Sequence, residues 1–347
     1  AALVDKFWRS VAGLVGPRDV SLSSNYSADG QITESITFES GKRNGPYVSY
    51  WQNGKKRSEG EYQDSKQHGS AIKYFQDGTV SLETPYQQGK KHGVEKRYWD
   101  TGKPREVTAY IEGRADGQFE RYYNNGKPKV IGVRTRQGWQ GEYREFSEDG
   151  TLRSLVNFVD GKKNGLVLSN YSNGKPQVKA QYQNDQLSGD YASYHENGKP
   201  QLAGRYQEGE QVGQWQEFSE SGDLTLSKTI VDGRLDGEYL SYFDSGKLEL
   251  KGSYDAGEKT GSWEQYYENG QVQLVANYRQ GARDGALKRF HENGKPAMAA
   301  NVVNGEFDGG VEYFDKRGRR NRLETYASGK LSDSRDYLAD GTEISKE

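Results

Sequence analysis

Aromatic residues return along this chain at a fixed step of 24 positions: Tyr50, Tyr74, Tyr98, Tyr122 and Phe146, then, past Asn170, Tyr194, Phe218, Tyr242, Tyr266, Phe290 and Phe314. A second series with the same step runs from Phe38, Tyr62, Tyr86 and Tyr110 to Tyr254, Tyr278 and Tyr326. Between them, short runs alternate apolar and polar residues, and each run is closed by a turn signal. Period-two runs between turn residues read as strands, here two per unit. A self-similarity this strict reads as a repeat array. Because 24 is even, every unit presents equivalent side chains to the same side of the sheet.

The turns refine the register. Glycine recurs at 54, 78, 102, 126 and onward at the same step, while the preceding position holds Asn, Asp, Thr, Ser or Arg. A type I′ turn needs positive φ at both central residues, which those side chains do not share. A type I turn followed by a left-handed Gly needs only the glycine. With Gln52, Asn53 and Gly54 as the loop, Trp51 is expected opposite Lys55 and Tyr50 opposite Lys56. On that register the even positions of the second strand (Val80, Leu82, Leu226, Leu250) form an apolar face, with the Tyr50 and Tyr62 series at its two ends. The other turn usually reads G-x-x-x-G, as in "GKKHG" at 89–93, and both glycines are read as turn residues.

The expected fold is all-β: an elongated single-layer antiparallel meander of about 13 tandem hairpin repeats over 19–347, with about 27 strands. A short N-terminal helix is expected over 1–18, where Phe7, Trp8 and Val11 fall at helical spacing and Gly16-Pro17 ends the run. It is read as a cap on the first hairpin or as a docking element, and as the route for any membrane contact.

Composition fits a thin structure: 32% of residues are hydrophobic and the mean hydropathy is -1.04. The 12% aromatic content argues against disorder. A net charge of -2 gives no electrostatic case for nucleic acid. Cysteine is absent, which excludes disulfides, thiol chemistry and Cys-based zinc sites. That absence and a start lacking Met lean towards an exported protein of the periplasm or cell surface, with the cytoplasm as the alternative.

No chemistry keeps step with the repeat. His195 and His291 take the place of Trp51 four repeats apart, about 40 Å on a two-strand repeat, and hold no common metal. Carboxylates are scattered without a pair unique to one unit, and no G-x-S-x-G elbow occurs. No catalytic residue, metal or cofactor is expected, and the chain is read as non-enzymatic. Binding has one candidate, an aromatic stripe on the wetter face. It is formed by Trp51, Phe75, Trp99, Tyr123, Tyr171 and Tyr267 after the inner aromatics, with Trp215, Tyr239 and Trp263 four residues earlier in their strands. Such a stripe is either a ligand platform or cross-strand stiffening.

The phrase "YQQGKKHGVEKRYWDTGK" at 86–103 resembles the MORN (membrane occupation and recognition nexus) repeat, in the bacterial variant found in antitoxin-like proteins, and the resemblance runs over about 20–341. It implies hairpins laid side by side in one twisted sheet and a role as an interaction module, with lipid or toxin partners in some members. It brings no catalytic residue. The function expected is a scaffold or adaptor that binds another protein at the bacterial cell envelope. The alternatives are glycan or peptidoglycan binding through the stripe, or an antitoxin role. Head-to-tail self-association through terminal strands is also open.

Overall fold

The first turn forms as expected. Trp51 N–H donates to the Lys55 carbonyl at 2.8 Å and Gly54 N–H to the Trp51 carbonyl at 2.9 Å. Gly54 has φ of 77°, the left-handed value that an L side chain resists. Tyr50 pairs with Lys56. The second turn has two residues: Glu39 pairs with Lys42 around Ser40 and Gly41, at φ of 52° and 77°. Both values are positive, which makes this a type I′ hairpin. The last glycine of G-x-x-x-G is therefore not a turn residue, correcting the expectation. Gly93 lies inside its strand with φ of 111°, opposite Tyr110. In the hairpin before it, pairing jumps from Glu59 with Ile72 to Glu61 with His68, so a bulge sits at Gly69 and Ser70.

The computed structural model describes residues 19–344, and among these the ordered elements are 29 strands, all paired antiparallel with sequence neighbours. Two arms are interrupted by one residue, at His92 and Asp308, so the 29 segments amount to the 27 arms expected. The chain divides into two units, Ala1–Gly165 and Leu166–Glu347. In the first, a meander starts at Val20–Tyr26, which pairs with Ile32–Glu39. In the second, a meander runs from Pro176–Gln183 to Lys330–Asp336, which pairs with Arg320–Ala327. Neither meander closes on itself. The helix expected over 1–18, with Phe7, Trp8 and Val11, lies outside the described residues.

A second bulge changes the faces. Tyr50 pairs with Lys56 but Ser49 pairs with Ser58, which leaves Arg57 as an extra residue. The same shift makes Arg105 extra between Pro104 and Glu106. One unpaired residue reverses the alternation beyond it. The Tyr50 series therefore does not share a face with the Tyr62 series, as the even-position rule required. Tyr74 donates its hydroxyl to Glu59, the cross-strand partner of Ile72, and so lies with them. Ala71, opposite Thr84, lies on the other face.

That other face is the core. It carries the Tyr62 series, the small residues two positions before it, and the row that includes Phe119, Trp215 and Trp263. Trp215 is 0% exposed; its ring meets Tyr206 at 5.1 Å and Tyr191 at 6.0 Å between centroids. It lies flat over Gly204, where an added Cβ would come within 2.3 Å of the indole. The glycine is needed here for space: large and small alternate across neighbouring strands. Trp263 repeats the arrangement over Gly252. Burying an indole of roughly 200 Å² at about 25 cal/mol/Å² gives an upper bound near 5 kcal/mol for each such rung.

Candidate binding surface on the turn edge

The x-N-G-K turn has a role beyond reversing the chain. Asn53 Oδ1 accepts from Lys55 N–H at 3.0 Å, closing its own turn, while Nδ2 donates forward to the Gln76 carbonyl at 2.8 Å. Lys55 Nζ donates to the Asp77 carbonyl, at 2.6 Å. The pattern recurs at Asn125 and Lys127, which reach Glu148 and Asp149, and at Asn173 and Lys175, which reach Glu196 and Asn197. Each of these Asn-Gly-Lys turns is thus clamped to the turn 24 residues on. Charge-assisted donation from an ammonium to a carbonyl is among the stronger exposed hydrogen bonds. Where Asp replaces Asn, as at Asp149, hydrogen bonds from Ser147 and Thr151 hold its carboxyl down at about 2 and only the local turn is capped. Sequence reasoning missed this clamp. Its signal was that Asn and Lys accompany a glycine that suffices for the turn.

The residues after the inner aromatics join the clamp. Tyr123 donates its hydroxyl to the Phe146 carbonyl at 2.9 Å, Tyr171 to Tyr194 at 2.7 Å and Tyr267 to Phe290 at 2.9 Å. His195 and His291 place Nε2 2.9 Å and 3.1 Å from the carbonyls of Phe218 and Phe314, so these imidazoles stand in for tyrosine. The indole N–H groups of Trp51 and Trp99 are buried without a partner. On the opposite edge, backbone alone makes the link: Gly89 N–H donates to the Gln67 carbonyl at 2.8 Å and Gly209 to Leu187 at 2.9 Å.

The expected stripe divides. Trp51, Phe75, Trp99, Tyr123, Tyr171 and Tyr267 do line the first-turn edge, each half-buried. Trp215, Tyr239 and Trp263 belong to the packed core face, which corrects their assignment to the wetter side. Trp263 is 3% exposed and Tyr239 lies 5.6 Å from Tyr254. The cause is the extra bulge residue, which brings the Tyr62 series onto their side.

The bulge residue also decides the chemistry of the edge. Arg57 lies over the Trp51 ring at 6.0 Å, Arg105 over Trp99 at 4.7 Å and Lys129 over Tyr123 at 5.4 Å. A cavity of about 320 Å³ opens among Trp99, Arg105, Glu106, Arg121, Tyr122 and Lys129. Within it Arg121 is paired with Glu106 at 2.8 Å. Arg105 and Lys129 are exposed and have no carboxylate partner among the described residues. The Tyr122 phenol is pushed up to about 12 by burial and by its bond to Glu120, so it stays neutral and donating. In the second unit the same bulge positions hold Gln177, Gln201, Thr225, Glu249, Gln273 and Ala297. Among the described residues no group of three His, Asp or Glu side chains is placed to hold a metal.

Solved structures of toxin-complex chains resemble this chain at low similarity. A TcdB2-TccC3 crystal structure matches at 12% identity and TM-score 0.19, covering 93% of this chain and 19% of that one. A TcdB2-TccC3 structure without its hypervariable C-terminal region matches at 12% identity and TM-score 0.18, covering 98% and 18%. A Tc holotoxin pore from Photorhabdus luminescens matches at 11% identity and TM-score 0.16, covering 93% and 23%. This chain spans about a fifth of the length of those chains. No curated protein matches the sequence. Eight segments match the MORN repeat variant: 43–64, 91–111, 115–133, 139–160, 163–184, 235–256, 259–280 and 283–304. With repeat, hairpin and turn all in step with those segments, the chain belongs to the MORN-repeat family in its variant form.

Proposed function

We propose that the protein is a non-enzymatic repeat scaffold that binds another protein through the side chains that vary from unit to unit. One observation carries this reading: the residues that recur have structural work. The Asn and Lys of the first turn clamp the next turn, its Gly makes the bend, and the aromatic beside it covers a neighbour's carbonyl. Positions free of that work, such as the bulge residue, change from Arg to Gln, Thr, Glu and Ala along the chain. A regular support with variable surface positions is how repeat arrays recognise partners. Stacking of sugar rings is the less favoured alternative, because cations cover the rings of Trp51, Trp99 and Tyr123.

The test is capture from native lysate by the full chain, compared with variants. Substitutions at bulge positions should remove a captured protein while leaving the unfolding temperature unchanged. Capture lost only when the clamp residues Asn53 or Asn125 are replaced would show that recognition does not use the variable positions, and would refute the reading.

A further inference from the structure

At the bulge position of the turn edge, positive charge belongs to the first unit. Over 19–165 the chain has 23 Lys and Arg against 20 Asp and Glu, while over 166–344 it has 21 against 28. At the bulge position the first unit carries Arg57, Ser81, Arg105, Lys129 and Arg153, and the second carries no cation at all over Gln177, Gln201, Thr225, Glu249, Gln273 and Ala297. The fold accepts any of these residues there. The run of cations is thus not required by the fold, and it sits beside the aromatic-lined cavity of about 320 Å³.

Geometry narrows the ligand. Successive bulge residues lie two strands apart, about 9.6 Å. A polyproline II chain repeats every three residues at roughly 3.1 Å each, so its like-facing side chains are about 9.3 Å apart. An extended strand of the same length would turn every third side chain to the far side. Cations over the rings of Trp51, Trp99 and Tyr123 leave no bare platform there for a sugar or a base, while exposed Arg105 and Lys129 have no carboxylate partner among the described residues. Tyr122, in the wall of the cavity, is the kind of aromatic surface on which proline rings pack in known recognition grooves.

We infer that the bulge edge of the first unit binds an acidic polyproline-type segment of a partner protein, with Asp or Glu at every third position paired to Arg105, Lys129 and Arg153. This rests on the scaffold reading and names the partner's chemistry.

The experiment is fluorescence anisotropy of a labelled EPPEPPEPPE peptide on the full chain at about 50 mM salt, where surface charge is weakly screened. Binding is expected, weakening at least about tenfold in Arg105→Glu with Lys129→Glu, a loss of about 1.4 kcal/mol. A peptide of equal composition with its glutamates grouped should bind several-fold less. Glu249 occupies the equivalent position in the second unit, so the variant is expected to fold, checked by an unchanged unfolding temperature. Equal binding of the grouped peptide, no effect of the double substitution, or no binding at all overturns the inference. So does a sulfated oligosaccharide that binds where the peptide does not. If a lysate partner is captured equally by wild type and by the double variant, this inference falls while the scaffold reading stands.

Discussion

Glu95 in the first unit and Trp215 in the second occupy the same place in the repeat, five units apart, and both are almost fully buried. Trp215 fills the space over Gly204 with an indole. Glu95 fills it with a carboxylate that accepts from Thr84 at 2.9 Å, from Arg97 and from Lys91. One rung is held by packing, the other by a charge cluster. A single-layer sheet tolerates both because each rung contacts only its neighbours, so a solution adopted in one unit does not constrain the next. The first unit thereby carries charge into its core face and along its turn edge, and the second is the better packed and the more acidic at its bulges.

The largest expected effect tests the packed side of this comparison. Trp215→Ala should cost about 3–5 kcal/mol, seen as loss of hydrogen-exchange protection in 200–242 with little change in the first unit. Uniform loss across both units would contradict independence of the rungs. The charged side comes next. Glu95→Ala should cost about 1–3 kcal/mol, below the value for a fully buried pair because Lys91 and Arg97 reach water. Glu95→Leu should recover most of that, since Leu287 fills the equivalent place in the second unit. A urea series on the three proteins decides it.

The pH response separates the units further. Burial alone would raise the Glu95 carboxyl, but the hydrogen bonds from Lys91 and Thr84 and the charges of Lys91 and Arg97 outweigh it and hold it below 4.5. A carboxyl with depressed folded pKa contributes stability above its unfolded value, and loses it as pH falls through the folded one. The first unit should therefore lose protection as pH drops below about 4.5, and Glu95→Gln should abolish that slope. The region around Trp215 should not show it. A smaller effect is shared: Asn125→Ala and Asn173→Ala remove the same clamp, one in each unit, and each should cost about 1 kcal/mol in thermal unfolding. Unequal losses would mean the clamp depends on its unit. Smallest are the type I′ turns, where Gln88 and Ala256 hold φ of 49° and 45°. Asparagine tolerates that region better, so Gln88→Asn and Ala256→Asn should each stabilise by about 0.5–1 kcal/mol.

Much of the fold was legible because the repeat states it many times over. The step of 24, two arms per unit and the pairing of Tyr50 with Lys56 all follow from the turn glycine and the alternation. The face assignment was not legible. It turns on one extra residue at the position of Arg57, and that position accepts almost any side chain, so no composition marks it. Trp215, Tyr239 and Trp263 were misplaced for that reason alone. The Asn53 and Lys55 clamp escaped because its acceptors are backbone carbonyls 22 and 23 positions away, which have no sequence identity. The role of Trp51 and Trp99 as supports for cations needed the bulge to be seen first.

Along one margin the Asn and Lys donors of the clamp point to the following repeat, and along the other the glycine backbone donors point to the preceding one, so junctions of this kind repeat one pattern. Gain or loss of one whole 24-residue module by gene duplication or deletion then creates no unmatched seam, whereas a gain of 23 or 25 would leave a mismatch at the point of insertion. Reach in such a protein can change only in whole steps, and each step leaves the neighbouring modules unaware that it was taken.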